Sequence, residues 1–191
     1  MPRLTFIIGG ARSGKSEHAE RLAEQARLPV LYVATAQTLD DEMRGRIALH
    51  RMRRPEAWRT IELASGVGRH LLAEPPGEEV IVLDCLTLLV SNALLQAAPD
   101  PDHPSEAAGR AAVAQEVGML LKAIDEIAAQ WIVVSNEVGQ GVVPAYPLGR
   151  LFRDLLGWAN KQLGEKADEV IWMVAGIPVP IGQHRGPRTI R

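Results

Sequence analysis

Gly9-Gly10-Ala11-Arg12-Ser13-Gly14-Lys15-Ser16 meets the pattern G-x-x-x-x-G-K-[ST]. The apolar run Leu4–Ile8 precedes it and reads as a buried parallel strand. Ser16–Ala26 follows, with Ala19, Leu22, Ala23 and Ala26 on one face, and reads as a helix. A strand, a glycine-rich loop and a helix in that order are the setting in which this pattern holds phosphate. Small residues let backbone N–H groups turn inward around an anion. The helix start adds the positive end of its dipole. Lys15 is expected to reach the β- and γ-phosphates of a nucleoside triphosphate, and the Ser16 hydroxyl to ligate Mg²⁺. A glycine-rich turn that matches by chance is the competing reading, and the flanking elements argue against it.

Outward from the loop, strand and helix patterns alternate. Val30–Thr35 reads as a second buried strand, and Asp40 caps a helix running to about Met52, which Pro55 cannot continue. Arg59–Leu63 is a short strand and Glu74–Glu78 a turn. Val80–Leu83 is a strong strand that ends in Asp84, an acid placed either to hold the metal, directly or through water, or to cap the helix that follows. Leu86–Gln96 reads as a helix, Ala97–Pro104 as a surface loop, and Ser105 as the cap of a long helix to about Ala129. Trp131–Ser135 is a strand, Asn136–Pro147 a glycine- and proline-rich loop, and Leu148–Ala167 an amphipathic helix. Glu169–Val174 is the last central strand, and Ile177–Ile181 an edge strand where its prolines are tolerated. The alternation implies one α/β domain over residues 1–182, with a mainly parallel central sheet flanked by helices. Residues 183–191 form a polar tail expected to be flexible.

Composition narrows the classes. The chain has 191 residues, 47% of them hydrophobic, which suits one well-filled domain. The net charge of −2 provides no global field for nucleic acid or a membrane surface, so any anion site is local. The single cysteine, Cys85, lies in an apolar run; it excludes an internal disulfide framework and fits a reducing cytoplasm. The apolar stretch after Met1 is too short for a signal peptide, and no run reaches the length of a membrane span.

The nucleotide chemistry is narrowed by two observations. Asn160-Lys161-Gln162-Leu163 lacks the aspartate of a guanine-reading Asn-Lys-x-Asp motif. The chain is also short for a motor or helicase. A small-molecule kinase or nucleotidyltransferase remains, beside a nucleotide-dependent regulatory module that turns over slowly. The segment Asp40–Glu62 carries Arg44, Arg46, Arg51, Arg53, Arg54 and Arg59, which read as a second anion site or as a solvated basic helix face. His50 sits among them. It reads as a histidine at the edge of the core, or as a nucleophile that attacks an α-phosphate while the arginines stabilise charge and keep the ring neutral.

Four blocks carry a family resemblance: the phosphate loop Gly9–Ser16; Tyr32-Val33-Ala34-Thr35-Ala36 with Asp40-Asp41-Glu42-Met43; His50 with Arg54-Pro55, Trp58, Thr60 and Glu62; and Ser135-Asn136-Glu137-Val138-Gly139 with Val142-Val143-Pro144. In this order, from Leu4 to about Ile181, the chain resembles the bifunctional adenosylcobinamide kinase / adenosylcobinamide-phosphate guanylyltransferases of cobalamin biosynthesis. The resemblance implies a RecA-like P-loop fold, a ring-shaped homotrimer and two reactions. The first phosphorylates adenosylcobinamide with ATP or GTP. The second carries GMP from GTP on a histidine to adenosylcobinamide phosphate, giving adenosylcobinamide-GDP and pyrophosphate. By position, His50 matches the guanylylated histidine. Ala34, Thr35, Ala36, Arg51, Met52, Arg53, Arg54, Glu62 and Asp84 match positions near the nucleotide, and Ser16 and Asp84 the metal side. Some members carry two adjacent histidines where this chain has Leu49-His50. A kinase alone, with His50 structural, is the narrower reading.

Overall fold

The computed structural model describes residues 3–36 and 54–183. The helix expected over Asp40–Met52 lies outside the described residues, as do His50, Arg51, Met52, Arg53 and residues 184–191.

Seven strands form one sheet: β1 (Leu4–Gly9), β2 (Val30–Ala34), β3 (Arg59–Glu62), β4 (Val80–Asp84), β5 (Gln130–Asn136), β6 (Glu169–Val174) and β7 (Ile177–Gln183). Their order across the sheet is β3-β2-β4-β5-β1-β6-β7. Every neighbouring pair is parallel except β6 and β7, which form an antiparallel hairpin. The strand leading into the phosphate loop is therefore separated by β5 from the strand that ends in Asp84. The single α/β domain with a mainly parallel sheet is the fold expected from the sequence.

Among the described residues the helices are α1 (Lys15–Ala26), α2 (Val67–Ala73), α3 (Leu86–Ala97), α4 (Glu106–Glu126) and α5 (Pro147–Lys166). Side chains alternate between the two faces of each strand, so both faces of this apolar sheet need cover. On one face Leu4, Phe6, Ile8, Leu83 and Val133 pack with Leu89, Val117, Leu120, Leu155 and Leu156 from α3, α4 and α5. On the other, Ile7, Tyr32, Val82 and Val134 pack with Ala19 and Ala23 of α1.

Two elements depart from the pattern-based expectation. α2 was not anticipated: it is only seven residues long and begins at Gly66 with φ 70°. Its first N–H groups are capped from a distance, since the Glu116 carboxylate of α4 accepts from Gly66 N (2.9 Å) and Val67 N (3.1 Å). α4 ends at Glu126 rather than near Ala129, and Ile127 is extended and largely buried. The Arg3 guanidinium donates to the carbonyls of Ile124 (2.7 Å) and Asp125, satisfying the helix end with a residue far away in sequence. The start of α4 is local, with Ser105 Oγ accepting from Ala108 N at 3.4 Å.

Candidate active site

β1 delivers the chain to Gly9, whose position is set by its neighbour. A Cβ there would lie 2.5 Å from the Met173 carbonyl of β6, so only glycine fits. The loop then turns through Arg12 at φ 56° and Gly14 at φ 89° before α1 begins. Gly14 favours this left-handed turn because it has no side chain to clash. Lys15, 7% exposed, folds back so that Nζ donates to the Gly10 carbonyl at 2.5 Å. Burial lowers its pKa, and the charges of Cys85 and Asp84 work against that shift. A largely desolvated ammonium beside one carbonyl and a carboxylate is a cation prepared for phosphate oxygens.

A cavity of about 700 Å³ opens over the strand ends. Ala11, Arg12, Ser13, Gly14, Lys15 and Ser16 line one side, and Ala34, Ala36, Arg54, Glu62 and Asp84 the other. Asp84 is fixed by Tyr32, whose hydroxyl donates to Oδ2 at 2.5 Å. Burial, followed by the Asp84 charge, pushes the Tyr32 pKa far up, so the phenol stays a donor. The Arg54 guanidinium lies 3.5 Å from the Tyr32 ring centroid, and the Trp58 ring stacks on Tyr32 at 6.4 Å. Arg54 is thus held at the cavity edge by a cation–π contact.

Thr35 is placed differently from its neighbours Ala34 and Ala36. It is fully buried, its Oγ1 donates to Cys85 O and accepts from Cys85 N, each at 2.7 Å, and it joins the end of β2 to the start of α3 behind the cavity wall. Gly9 and Gly10 are not among the residues that line the cavity: the Gly10 carbonyl accepts from Lys15 Nζ, and the Gly9 carbonyl accepts from Glu137 N at 3.0 Å. Cavity residues that the sequence reading did not assign to the nucleotide or the metal are Glu17, Cys85, Leu88, Val134, Asn136, Ala175 and Gly176, although Asn136 belongs to the fourth block of the resemblance. Ala175 (φ 50°) and Gly176 (φ 83°) make the β6–β7 turn, and Gly176 N donates to Ser13 O at 3.1 Å. Ala-Gly between two apolar runs is a readable turn signal, but its docking on the phosphate loop is a tertiary event.

The family model described as "Cobinamide kinase / cobinamide phosphate guanyltransferase" matches residues 5–181. The chain belongs to this family. The bifunctional adenosylcobalamin biosynthesis protein CobU of Escherichia coli K12 is 43% identical over 180 residues, covering 93% of this chain and 99% of that protein. The bifunctional adenosylcobalamin biosynthesis protein CobP of Pseudomonas aeruginosa PAO1 is 43% identical over 176 residues, covering 92% and 95%. The crystal structure of the RadB recombinase has a TM-score of 0.49 and 14% identity over 88% of this chain and 73% of that one. The kinase and guanylyltransferase pair expected from the sequence is the pair that the cobinamide kinase / guanyltransferase family is described by. No helix among the described residues is long and apolar enough to cross a membrane.

Proposed function

We propose that the chain is a bifunctional enzyme of adenosylcobalamin biosynthesis. It phosphorylates the aminopropanol hydroxyl of adenosylcobinamide with ATP or GTP, then transfers GMP from GTP through His50 to adenosylcobinamide phosphate. The observation that carries the reading is the buried Lys15 ammonium, which faces Asp84 across one cavity within a chain of this family.

Lys15 and the loop amides bind the triphosphate, and Arg12 and Arg54 add charge at the cavity wall. Bound there with the nucleotide, Mg²⁺ neutralises phosphate charge. Ser16 and Asp84 would hold it, and the donor set fits. Both line the cavity with oxygen donors, and among the described residues the Asp84 carboxylate accepts a single hydrogen bond, at Oδ2, leaving Oδ1 for a hard cation.

In the transfer step a His50 ring nitrogen bonds to the α-phosphorus as the bond to pyrophosphate breaks. The acceptor's phosphate oxygen then displaces the imidazole, which leaves with its nitrogen free. Arg51, Arg53 and Arg54, with Met52 between them, belong to the segment that carries this histidine; the arginines counter charge on the transferring group. By resemblance the working form is a homotrimer; the single cysteine fits a reducing cytoplasm, and the large corrinoid lies in an open groove beside the Asn136–Pro147 segment.

The test is product analysis by mass. Wild-type protein with adenosylcobinamide, Mg²⁺ and GTP is expected to give adenosylcobinamide-GDP and pyrophosphate. With GTP labelled at the α-phosphate, the protein should acquire an alkali-stable, acid-labile label that is missing in His50→Asn. Equal label on the two proteins would remove the nucleophile assignment.

A further inference from the structure

Asn136 is the last residue of β5, the strand inserted between the phosphate-loop strand and the Asp84 strand. Its Cα pairs with Gly9, while the β4 ladder stops two residues earlier at Asp84–Val134. Glu137 N donates to Gly9 O at 3.0 Å on the β1 side, so the N–H and C=O of Asn136 point toward β4, beyond where β4 ends. Backbone groups left there need partners. Both are taken by side chains: Asn136 N donates to Thr87 Oγ1 (2.7 Å), and Asn160 Nδ2 donates to Asn136 O (3.0 Å).

The two partners are themselves joined. Ser135 Oγ donates to Asn160 Oδ1 at 2.6 Å and lies 3.3 Å from Thr87 Oγ1. Ser135, Thr87 and Asn160 are all buried. A closed ring of hydrogen bonds from α3, β5 and α5 therefore grips the backbone of one residue. Ser135 faces this ring on one side of the sheet, and by strand alternation Val134 and Asn136 face the other, where both line the cavity. Among the described residues the Asn136 side-chain amide makes no hydrogen bond. The Asn136 side chain thus lines the same cavity as Lys15 and Asp84, carried on a backbone gripped from three elements.

We propose that Asn136 is a catalytic residue of the phosphoryl-transfer step, with Thr87, Ser135 and Asn160 as its positioning residues. The inference rests on the kinase reading above. Asn136 Nδ2 donates to an oxygen of the transferring phosphoryl group, and Oδ1 accepts from the acceptor hydroxyl and aims it in line. The hydroxyl oxygen bonds to the γ-phosphorus, the bond to the β–γ bridging oxygen breaks, the nucleoside diphosphate leaves, and the hydroxyl proton goes to water. Guanylyl transfer breaks a bond at the α-phosphorus, farther from the strand ends, and depends less on this amide.

The experiment measures kinase turnover of adenosylcobinamide and, separately, self-labelling with α-labelled GTP. For Asn136→Ala, kinase kcat is expected to fall about 100-fold, with the KM for triphosphate within about threefold and self-labelling within about twofold. Asn136→Asp keeps the shape but turns a charge on the phosphate, and should fall at least as far. Thr87→Val should lower kinase kcat about tenfold and Thr87→Ser restore it. Kinase kcat within threefold of wild type in either Asn136 variant would overturn the proposal while leaving the function intact. Equal loss in both half-reactions would also overturn it, since that is the signature of a general structural defect. Wild-type protein that forms neither product would instead remove the function reading and this inference with it.

Discussion

Tyr32 on β2 donates its hydroxyl to Asp84 Oδ2 at the end of β4, at 2.5 Å. Its ring is fully buried, so it holds the carboxylate from below while the cavity stays open above. Tyr32→Phe keeps the ring and removes the donor. A hydrogen bond to a charged group contributes about 1.5–3 kcal/mol, but Asp84 borders the cavity and water replaces part of it. Stability by urea unfolding is expected to fall by about 1 kcal/mol. The Mg²⁺ concentration for half-maximal activity should rise about tenfold, as happens when a group orienting a metal ligand is lost. An unchanged Mg²⁺ requirement would detach Asp84 from the metal.

Lys15→Met separates nucleotide binding from folding. The ammonium is buried against a single carbonyl, so an apolar chain of similar length relieves desolvation. Without nucleotide the variant should be as stable as wild type or more so. Both half-reactions should fall by roughly 3–4 kcal/mol of transition-state stabilisation, a few hundred-fold in rate. Calorimetric melting and single-turnover assays check the two halves independently.

The lowered Lys15 pKa also implies proton linkage. Between the folded-state value and the ordinary 10.5, the unfolded chain holds this proton and the native chain does not, so Lys15 makes stability rise with pH in that window. Phosphate oxygens raise the pKa again, so nucleotide binding there should take up protons. Titration calorimetry in alkaline buffers of different ionisation enthalpy should detect the uptake, and Lys15→Met should abolish it. A buffer-independent enthalpy in wild type would contradict the burial argument.

Cys85 borders the cavity, and burial, followed by the Asp84 charge, pushes its thiol pKa up to about 11. Only the thiolate reacts, so alkylation at pH 8 is expected to be roughly 100-fold slower than for an unperturbed thiol. Timed iodoacetamide labelling with intact-mass readout checks this.

Two glycines predict opposite signs. At Gly68 a Cβ would lie 2.2 Å from the Met119 backbone, so Gly68→Ala forces α2 away from α4 and should cost about 1–3 kcal/mol. At Gly118, exposed in α4 with open space around it, Gly118→Ala should stabilise by about 0.5–1 kcal/mol. Urea midpoints of the pair would decide it.

What was legible in the sequence was local. Gly9–Ser16 lies between a strand and a helix that the same few residues specify, so the phosphate loop, Lys15 and Ser16 could be read directly. Four apolar residues ahead of Asp84 marked the end of a buried strand. Ser105 announced a helix start because capping acts within one turn; Pro147, read as the end of a loop, is instead the first residue of α5. α2 escaped notice because its cap, Glu116, is fifty residues away. Thr35 could not be told from Ala34 and Ala36 by composition, since strand alternation says that they face opposite ways but not which way holds the ligand.

By itself the sequence determined that a glycine-rich loop of the phosphate-binding pattern and an acidic strand end exist in one α/β chain, because hydrophobic periodicity and turn chemistry act over a few residues. Only the tertiary structure decided that β5 lies between those two strands, that Tyr32 reaches Asp84, and that Thr87, Ser135 and Asn160 converge on Asn136. Strand order and side-chain convergence come from packing apolar faces and satisfying buried polar groups across the whole chain, and no short window of residues contains that information.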